Sequence, residues 1–274
     1  MTRRLNIWLL SVLLIIGIPY YWYLVDPGAG PGSAEPRAKP VTIAQLRALA
    51  AAPEGQRPVA LRVETVGLRY SSRNMLVAGA GLRTVPNTVR SYELVVPGSG
   101  PIVIDAGMSL KAADTLDFEW FDEAAQARVD HALRQAAHTV LLSDRPTHNG
   151  GHAPGSQRTG PELLSFRGAP YAVTPGVVVI PASGLRAGSF MLYAWLEGGR
   201  EYLFTGDVAK MGANWQDLLP PARFATRGDP ASYRSENLSW LMTINALHRA
   251  APQMVVIAGH DPAKVPFSAG TFSD

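Results

Sequence analysis

Four short apolar segments of this chain end in polar loops that carry Asp or His, and this pattern restricts the fold more than any other sequence feature. The segments stand in "IVIDAG", "TVLLSDRPTHNGGH", "LFTGD" and "VVIAGHD". Short apolar runs bounded by glycine and polar turn residues are typical of buried strands. Polar residues at one edge of a sheet layer can converge although they are far apart in sequence. We therefore expect Asp105, the loop of residues 144–152, Asp207 and His260 to lie near one another.

The rest of the chain arranges these strands in two similar halves. In the first half, "VALRVETVGLRY" alternates apolar and polar residues as a half-buried strand does, and a helix is predicted near residues 121–137. In the second half, a hairpin precedes a helix in which Leu238, Leu241 and Ile244 recur at helical spacing. Each half consists of strands, a helix and a further strand. This order predicts an α+β fold in which two sheets are sandwiched between helices.

Composition narrows the chemistry of the polar strand ends. The chain has no cysteine, so thiolate sites are excluded and any metal ion must be held by His, Asp or Glu. The formal net charge is +3 with no run of Lys or Arg, so we do not expect a nucleic-acid partner. No motif for a nucleotide or an organic cofactor is present either.

The N-terminal segment predicts a membrane anchor. Arg3 and Arg4 precede an apolar run over residues 5–25, which as a helix is roughly 30 Å long, enough to cross a bilayer. The positive-inside rule places the Arg pair in the cytoplasm and the rest outside. We predict a transmembrane helix over residues 1–25, a flexible linker over 26–40 and one domain over 41–274. The domain would then face outward from the inner membrane, into the periplasm of a Gram-negative cell. A cleaved signal peptide is the competing interpretation.

The order of the motifs resembles the metallo-β-lactamase fold, an αββα sandwich used by many zinc-dependent hydrolases. "IVIDAG" resembles the first Asp-x-Gly strand end of that family, and "LLSDRPTHNGGH" stands where the family has a His-x-His-x-Asp-His loop followed by Gly-Gly. "IPASGLRAGSF" resembles the family's Pro-Gly-His segment. "LFTGD" and "VVIAGHD" resemble the strands that end in the bridging Asp and the last His ligand. The resemblance covers residues 59–265, most of the chain outside the anchor.

The metal ligands depart from the family pattern. Aligned on the Gly-Gly pair, the first two loop His positions fall on Ser143 and Arg145, and the loop Asp falls on Thr147. The His of the Pro-Gly-His segment becomes Leu185. One of the two metal positions of the family is therefore lost. An ungapped alignment from Ser143 instead places Asp144 and Pro146 at the first two His positions. It places His148 at the Asp position and Asn149 at the third His position.

The second metal position keeps three of its four ligands. The resemblance implies a site on His148, Asp207 and His260 for at most one metal ion, zinc by analogy, with water as the nucleophile. Catalytic roles then fall to Asp207 and to Asp144. The fold would make this protein a metal-dependent hydrolase, if it is active.

Three further residues have expected roles around this site. By resemblance, Asp105 would orient a His ring through its N–H group, and His152 could add a ligand or take a proton. Arg145 could replace the lost metal charge, pair with Asp207 or hold an anionic substrate. The alternative to a hydrolase is a non-catalytic relative that binds a ligand or protein partner in the former active-site cleft. A purely structural envelope protein is a third class, and no substrate is predicted.

Overall fold

Two five-stranded sheets form the centre of the protein. We describe residues 2–151 and 168–273 of a computed structural model. The helices are α1 (Thr2–Tyr20), α2 (Ile43–Ala51), α3 (Arg73–Leu76), α4 (Leu110–Thr115), α5 (Glu123–Gln135), α6 (Gly212–Gln216) and α7 (Tyr233–Ala250). The strands are β1 (Ala60–Ser72), β2 (Thr84–Val95), β3 (Ile102–Ile104), β4 (Trp120–Phe121), β5 (His138–Val140), β6 (Tyr171–Thr174), β7 (Val177–Pro181), β8 (Phe190–Trp195), β9 (Glu201–Phe204) and β10 (Val255–Ile257).

The strand order is β4-β1-β2-β3-β5 in the first sheet and β10-β9-β8-β7-β6 in the second. Most neighbouring strands are antiparallel, but β5 runs parallel to β3, and β10 runs parallel to β9. Parallel neighbours present their carboxyl ends at the same edge of the sheet. The two parallel pairs therefore collect at that edge the loops that follow β3, β5, β9 and β10.

The inner faces of the two sheets pack on each other, and helices cover the outer faces. Because side chains alternate along a strand, β8 sends Phe190 and Leu192 into the core between the sheets and Met191 and Tyr193 to the other face. On that other face α2 and α7 pack against the second sheet, and α5 packs against the outer face of the first through Val129. The layers are therefore helix, sheet, sheet and helix, as the sequence predicts.

An apolar helix precedes this sandwich. The segment Arg3–Val25 is long and apolar enough to cross a membrane, and its most apolar stretch is not buried against the rest of the described protein. Its last part, Tyr21–Val25, winds as a π-helix. Length and composition alone are weak evidence for membrane insertion, so the transmembrane assignment stays a prediction.

The segment predicted as a flexible linker has no helix or strand, but it contacts the domain along its length. Arg223 donates from Nε to a carboxylate oxygen of Asp26 (3.1 Å), and Arg234 donates to the backbone carbonyls of Asp26 (2.7 Å) and Gly28 (3.0 Å). Further on, the backbone N–H of Lys39 donates to the Thr243 hydroxyl on α7 (2.7 Å). The domain boundaries themselves remain predictions.

Candidate metal site and cleft

The loops at the edge of the two sheets bring three buried side chains together. His148 lies in the loop after β5, Asp207 in a 3₁₀ turn after β9, and His260 three residues beyond β10. One ligand atom from each of these residues lies within 4.8 Å of the other two. Two His nitrogens and a carboxylate oxygen are a ligand set that zinc accepts.

Both His rings are fixed by their Nδ1 atoms. His148 Nδ1 lies 2.7 Å from a carboxylate oxygen of Asp105, and His260 Nδ1 lies 3.0 Å from the carbonyl oxygen of Thr88. A carbonyl or a carboxylate only accepts, so the proton of each neutral ring is on Nδ1 and the lone pair on Nε2. Metal-binding His residues are oriented in this way in proteins.

The two Nε2 atoms point at the same carboxylate. Nε2 of His260 lies 3.2 Å from one oxygen of Asp207, and Nε2 of His148 lies 3.8 Å from the other. The second distance is too long for a hydrogen bond, and His148 Nε2 is buried without a partner among the described residues. When the rings are neutral, their Nε2 lone pairs face this carboxylate, and a shared cation, either a proton or a metal ion, stabilises the arrangement. The residues present therefore fit a metal ion that replaces the proton.

The ionisation of the three groups follows from their surroundings. Burial lowers the pKa of His148, but the carboxylates of Asp105 and Asp207 outweigh it and raise that pKa from 6.5 to about 10. Burial, with the charges of His148 and Lys210, lowers the pKa of His260, although Asp207 opposes this. Burial would raise the pKa of Asp207, but Arg145 and Lys210 hold it well below its usual range. The site thus keeps a carboxylate and attracts positive charge, as a proton or a metal ion.

Asp207 also has partners in the loop after β5, where Ser143 and Arg145 occupy the first two His positions of the family. Ser143 donates its hydroxyl to Asp207 (2.8 Å), and Arg145 Nε lies 3.3 Å from the same oxygen. Lys210 approaches the other oxygen at 3.6 Å. A hydroxyl and a guanidinium thus stand where the resemblance places two metal ligands, and they hold Asp207 directly.

Asp105 adopts a backbone conformation that is unusual for a residue other than glycine. Its φ is +61°, in the left-handed region, which costs about 1–2 kcal/mol for most residues and less for Asp or Asn. One carboxylate oxygen accepts the backbone N–H of Leu142 (2.8 Å) while the other faces His148. These two bonds hold Asp105 in place and join the loop after β3 to the loop after β5.

The other residues named from the sequence lie in different places. Leu185 is buried in the core between the second sheet and α7, in one cluster with Val208 and Trp240, and supplies no ligand. Asp144 is outside the group of three; the Asn149 amide lies 3.5 Å from its carboxylate. His152 lies outside the described residues.

A cleft opens beside this site. It has a volume of about 110 Å³ and is lined by Arg69, Asn87, Phe118, Arg145, Lys210 and His260, among others. A larger cleft of about 220 Å³ lies beside β10 and contains none of the three candidate ligands. The smaller cleft thus reaches the candidate site at His260.

Sequence reasoning missed several residues that surround the site. Lys210 follows Asp207 by three residues, a spacing without a recognised motif, and Ser143 was read only as a lost ligand. Arg69 lies on β1, where an Arg in an alternating strand is typical of a solvent-facing residue. Thr88 acts through its backbone carbonyl, which no sequence pattern reveals.

Comparison with known proteins supports the fold. No protein-family model matches the chain, and no curated protein matches it. Among solved structures, a quorum-quenching N-acyl homoserine lactone lactonase is similar with a TM-score of 0.60 and 18% identity, covering 78% of this chain and 99% of that chain. An N-acyl homoserine lactone hydrolase with the product N-hexanoyl-L-homoserine bound at its catalytic metal centre has a TM-score of 0.59 and 18% identity, covering 76% of this chain and 95% of that one. A probable metal-dependent hydrolase from Staphylococcus aureus has a TM-score of 0.54 and 11% identity, and the match covers 76% of this chain and 91% of that one. The chain therefore has the fold of the metallo-β-lactamase superfamily hydrolases, as its motif order indicates.

Proposed function

We propose that this protein is a hydrolase that works with a single metal ion held by His148, Asp207 and His260. One observation carries the proposal: two buried His rings, each with Nδ1 engaged, direct Nε2 at one carboxylate, and the ligand atoms lie within 4.8 Å of one another. Zinc suits these ligands, and when bound it would supply Lewis-acid chemistry that acidifies water and polarises a carbonyl group. The fold shared with metal-dependent hydrolases agrees with this reaction class.

The surrounding residues have defined parts in this proposal. Asp105 and the Thr88 carbonyl orient the two rings, and Ser143 fixes one oxygen of Asp207. Arg145 supplies a permanent positive charge next to Asp207, where the family carries a second metal ion. The catalytic role expected of Asp144 stays a prediction.

Metal content is the decisive measurement. The purified full-length protein, supplied with zinc and then desalted, is expected to retain close to one zinc per chain, measured by mass spectrometry of the metal. His260→Ala is expected to lose it. His131→Ala is a matched control, because His131 lies on α5, outside the group of candidate ligands, and its ring is within hydrogen-bond distance of the Gln135 amide. A folded wild-type protein that retains no divalent metal would refute the proposal.

A non-catalytic binding protein is the second candidate function. The observation in its favour is that Asp207 already accepts the Ser143 hydroxyl and pairs with Arg145 and Lys210. A carboxylate with these partners is stable without a metal ion. The same metal measurement separates the two candidates, since this one predicts no metal and no difference between wild type and His260→Ala.

We also propose that α1 anchors the protein in the inner membrane with the domain outside, in the periplasm of a Gram-negative cell. The exposed apolar surface of the segment Arg3–Val25 and the basic residues Arg3 and Arg4 ahead of the apolar run support this placement. The chain has no cysteine, so single cysteines can be labelled without background. In intact spheroplasts, a membrane-impermeant maleimide is expected to label Ser99→Cys but not Thr2→Cys. The reverse pattern, or release of the domain from the membrane fraction, would contradict the proposal.

A further inference from the structure

Among the described residues, the cleft beside the candidate metal site is lined by three Arg and Lys side chains, and two of these pair with a carboxylate. Arg145 and Lys210 both approach Asp207, at 3.3 Å and 3.6 Å. The third is Arg69, which forms no ion pair among the described residues. None of the described residues that line the cleft is Asp or Glu. Glu119, Asp117 and Asp207 attract Arg69 electrostatically without forming an ion pair with it. The described lining of the cleft therefore carries an excess of positive charge, and Arg69 is its cation without a salt bridge to a described residue.

Arg69 is also incompletely hydrogen-bonded. Its Nη1 donates to the carbonyl oxygen of Leu116 (3.2 Å), and its guanidinium lies 5.4 Å from the ring centre of Phe118. Its Nε is buried and has no hydrogen-bond partner among the described residues. A buried N–H of a charged group without an acceptor is unfavourable, and an acceptor in the cleft removes that cost.

Arg69 lies near the backbone that orients His260 and lines the same cleft. Arg69 lies opposite Asn87 in the pairing of β1 with β2, and the next residue, Thr88, holds the His260 ring through its carbonyl. Arg69 and His260 line the same cleft of about 110 Å³. Since a water molecule occupies about 30 Å³, the cleft has room for a charged group and the bond next to it, with the rest of a ligand outside.

We propose that Arg69 binds an anionic group of the substrate, a carboxylate or a phosphate, and so places the neighbouring ester or amide bond against His148, Asp207 and His260. This inference rests on the proposed hydrolase function for the bond that is cleaved, but the anion site itself does not. The planar guanidinium suits carboxylates and phosphates because two of its N–H groups can bind two oxygens at once. The substrate class is thus a small hydrolysable acid or phosphorylated compound.

Inorganic phosphate is the probe, used with full-length protein in detergent after metal removal with a chelator. By calorimetry at constant ionic strength, phosphate is expected to bind to wild type, and Arg69→Gln to bind it about tenfold more weakly or worse. Arg69→Lys keeps the positive charge but lacks the paired N–H donors of the guanidinium. Its phosphate affinity is expected to lie between those of wild type and Arg69→Gln. The control is Arg249→Gln, an exposed arginine at the end of α7, which should bind phosphate as wild type does.

A second measurement is made on wild-type protein, so a folding defect in a variant does not affect it. In wild-type protein with ¹⁵N-labelled arginine, the Nε–H resonance of Arg69 is expected to shift on titration with phosphate; Arg69→Lys identifies that resonance by its absence. Unchanged phosphate affinity in a folded Arg69→Gln, or an Arg69 resonance that does not move, overturns the proposal. Because these measurements use metal-free protein, they succeed or fail independently of the zinc measurement that tests the hydrolase.

Discussion

Arg145 forms an ion pair with Asp207, with Nε 3.3 Å from the carboxylate oxygen that also accepts the Ser143 hydroxyl. By resemblance, Asp207 stands where the metallo-β-lactamase fold has the carboxylate that bridges two metal ions; here it has a guanidinium on one side and two His nitrogens on the other. In the proposed metal site this ion pair would limit how strongly a metal ion is held, because a guanidinium repels a divalent cation that shares the same carboxylate.

Removing that repulsion should strengthen metal binding. Arg145→Gln is expected to raise the affinity for zinc by about 30-fold, because the Coulomb repulsion between a unit charge and a divalent ion about 4 Å away is about 2 kcal/mol in a water-like medium. Competition with a chromophoric chelator measures it. A weaker affinity in Arg145→Gln would mean that Arg145 mainly orients Asp207. Arg186→Gln is the control, since Arg186 pairs with Asp229 instead.

The Asp105–His148 bond should govern metal affinity through the orientation of the ring. Asp105→Asn is expected to lower zinc affinity by about 10- to 100-fold, the usual effect of removing such a partner. Asn tolerates the left-handed φ of +61° nearly as well as Asp, so this change separates the charge from the backbone strain. Asp114→Asn, at an exposed position on α4, should leave zinc affinity unchanged. Equal affinities in wild type and Asp105→Asn would show that His148 is positioned by packing alone.

The Arg47–Glu201 pair should contribute to stability in a pH-dependent way. Burial would raise the pKa of Glu201, but hydrogen bonds from Arg47 (2.8 and 2.7 Å) and Tyr193 lower it. Because the folded pKa lies below the unfolded value, the contribution is complete above about pH 4.3 and is lost as the pH falls through the folded pKa. Glu201→Gln should cost about 1.5–3 kcal/mol at pH 7.

Thermal melts between pH 3 and 7 test this prediction. The difference in melting temperature between wild type and Glu201→Gln is expected to be largest at neutral pH and to shrink on acidification. Glu197→Gln, on the exposed turn after β8, serves as the reference variant. A difference that stays constant over the whole pH range would argue against the charged pair.

The contact between Asp26 and Arg223 should protect the segment that joins α1 to the domain. Arg223→Ala removes the guanidinium bonds to Asp26 and to the Gly28 carbonyl. We expect tryptic cleavage after Arg37 to become roughly tenfold faster. Lowering the free energy of local opening by about 1.4 kcal/mol raises the population of the opened segment by that factor. The domain's own melting temperature should change little. Arg227→Ala, an exposed neighbour, should be cleaved at the wild-type rate, and equal rates in all three proteins would contradict the expectation.

The sequence could predict the fold because the motif order and the strand ends are local signals. Asp105 follows its apolar strand directly, and Asp207 and His260 each lie three residues after theirs, so the placement of the strands brings the three residues together. The choice among three roles for Arg145 could not be made, because pairing with Asp207 depends on a distance across 62 residues. The role of Arg69 could not be predicted, because the alternating pattern of a strand is the same whether its Arg faces solvent or a cleft. Leu185 marks a lost ligand in the sequence, but only packing shows that its side chain joins the core under α7.

The docked segment between α1 and the domain has a mechanical consequence. A free chain over residues 26–40 could extend roughly 50 Å and would let the cleft face any direction. Arg223, Arg234 and Thr243 hold this segment at successive points instead. In the proposed membrane-anchored protein, these contacts would restrict rotation of the domain relative to α1, and the cleft would keep a narrower range of heights and orientations above the lipid surface than a free linker allows.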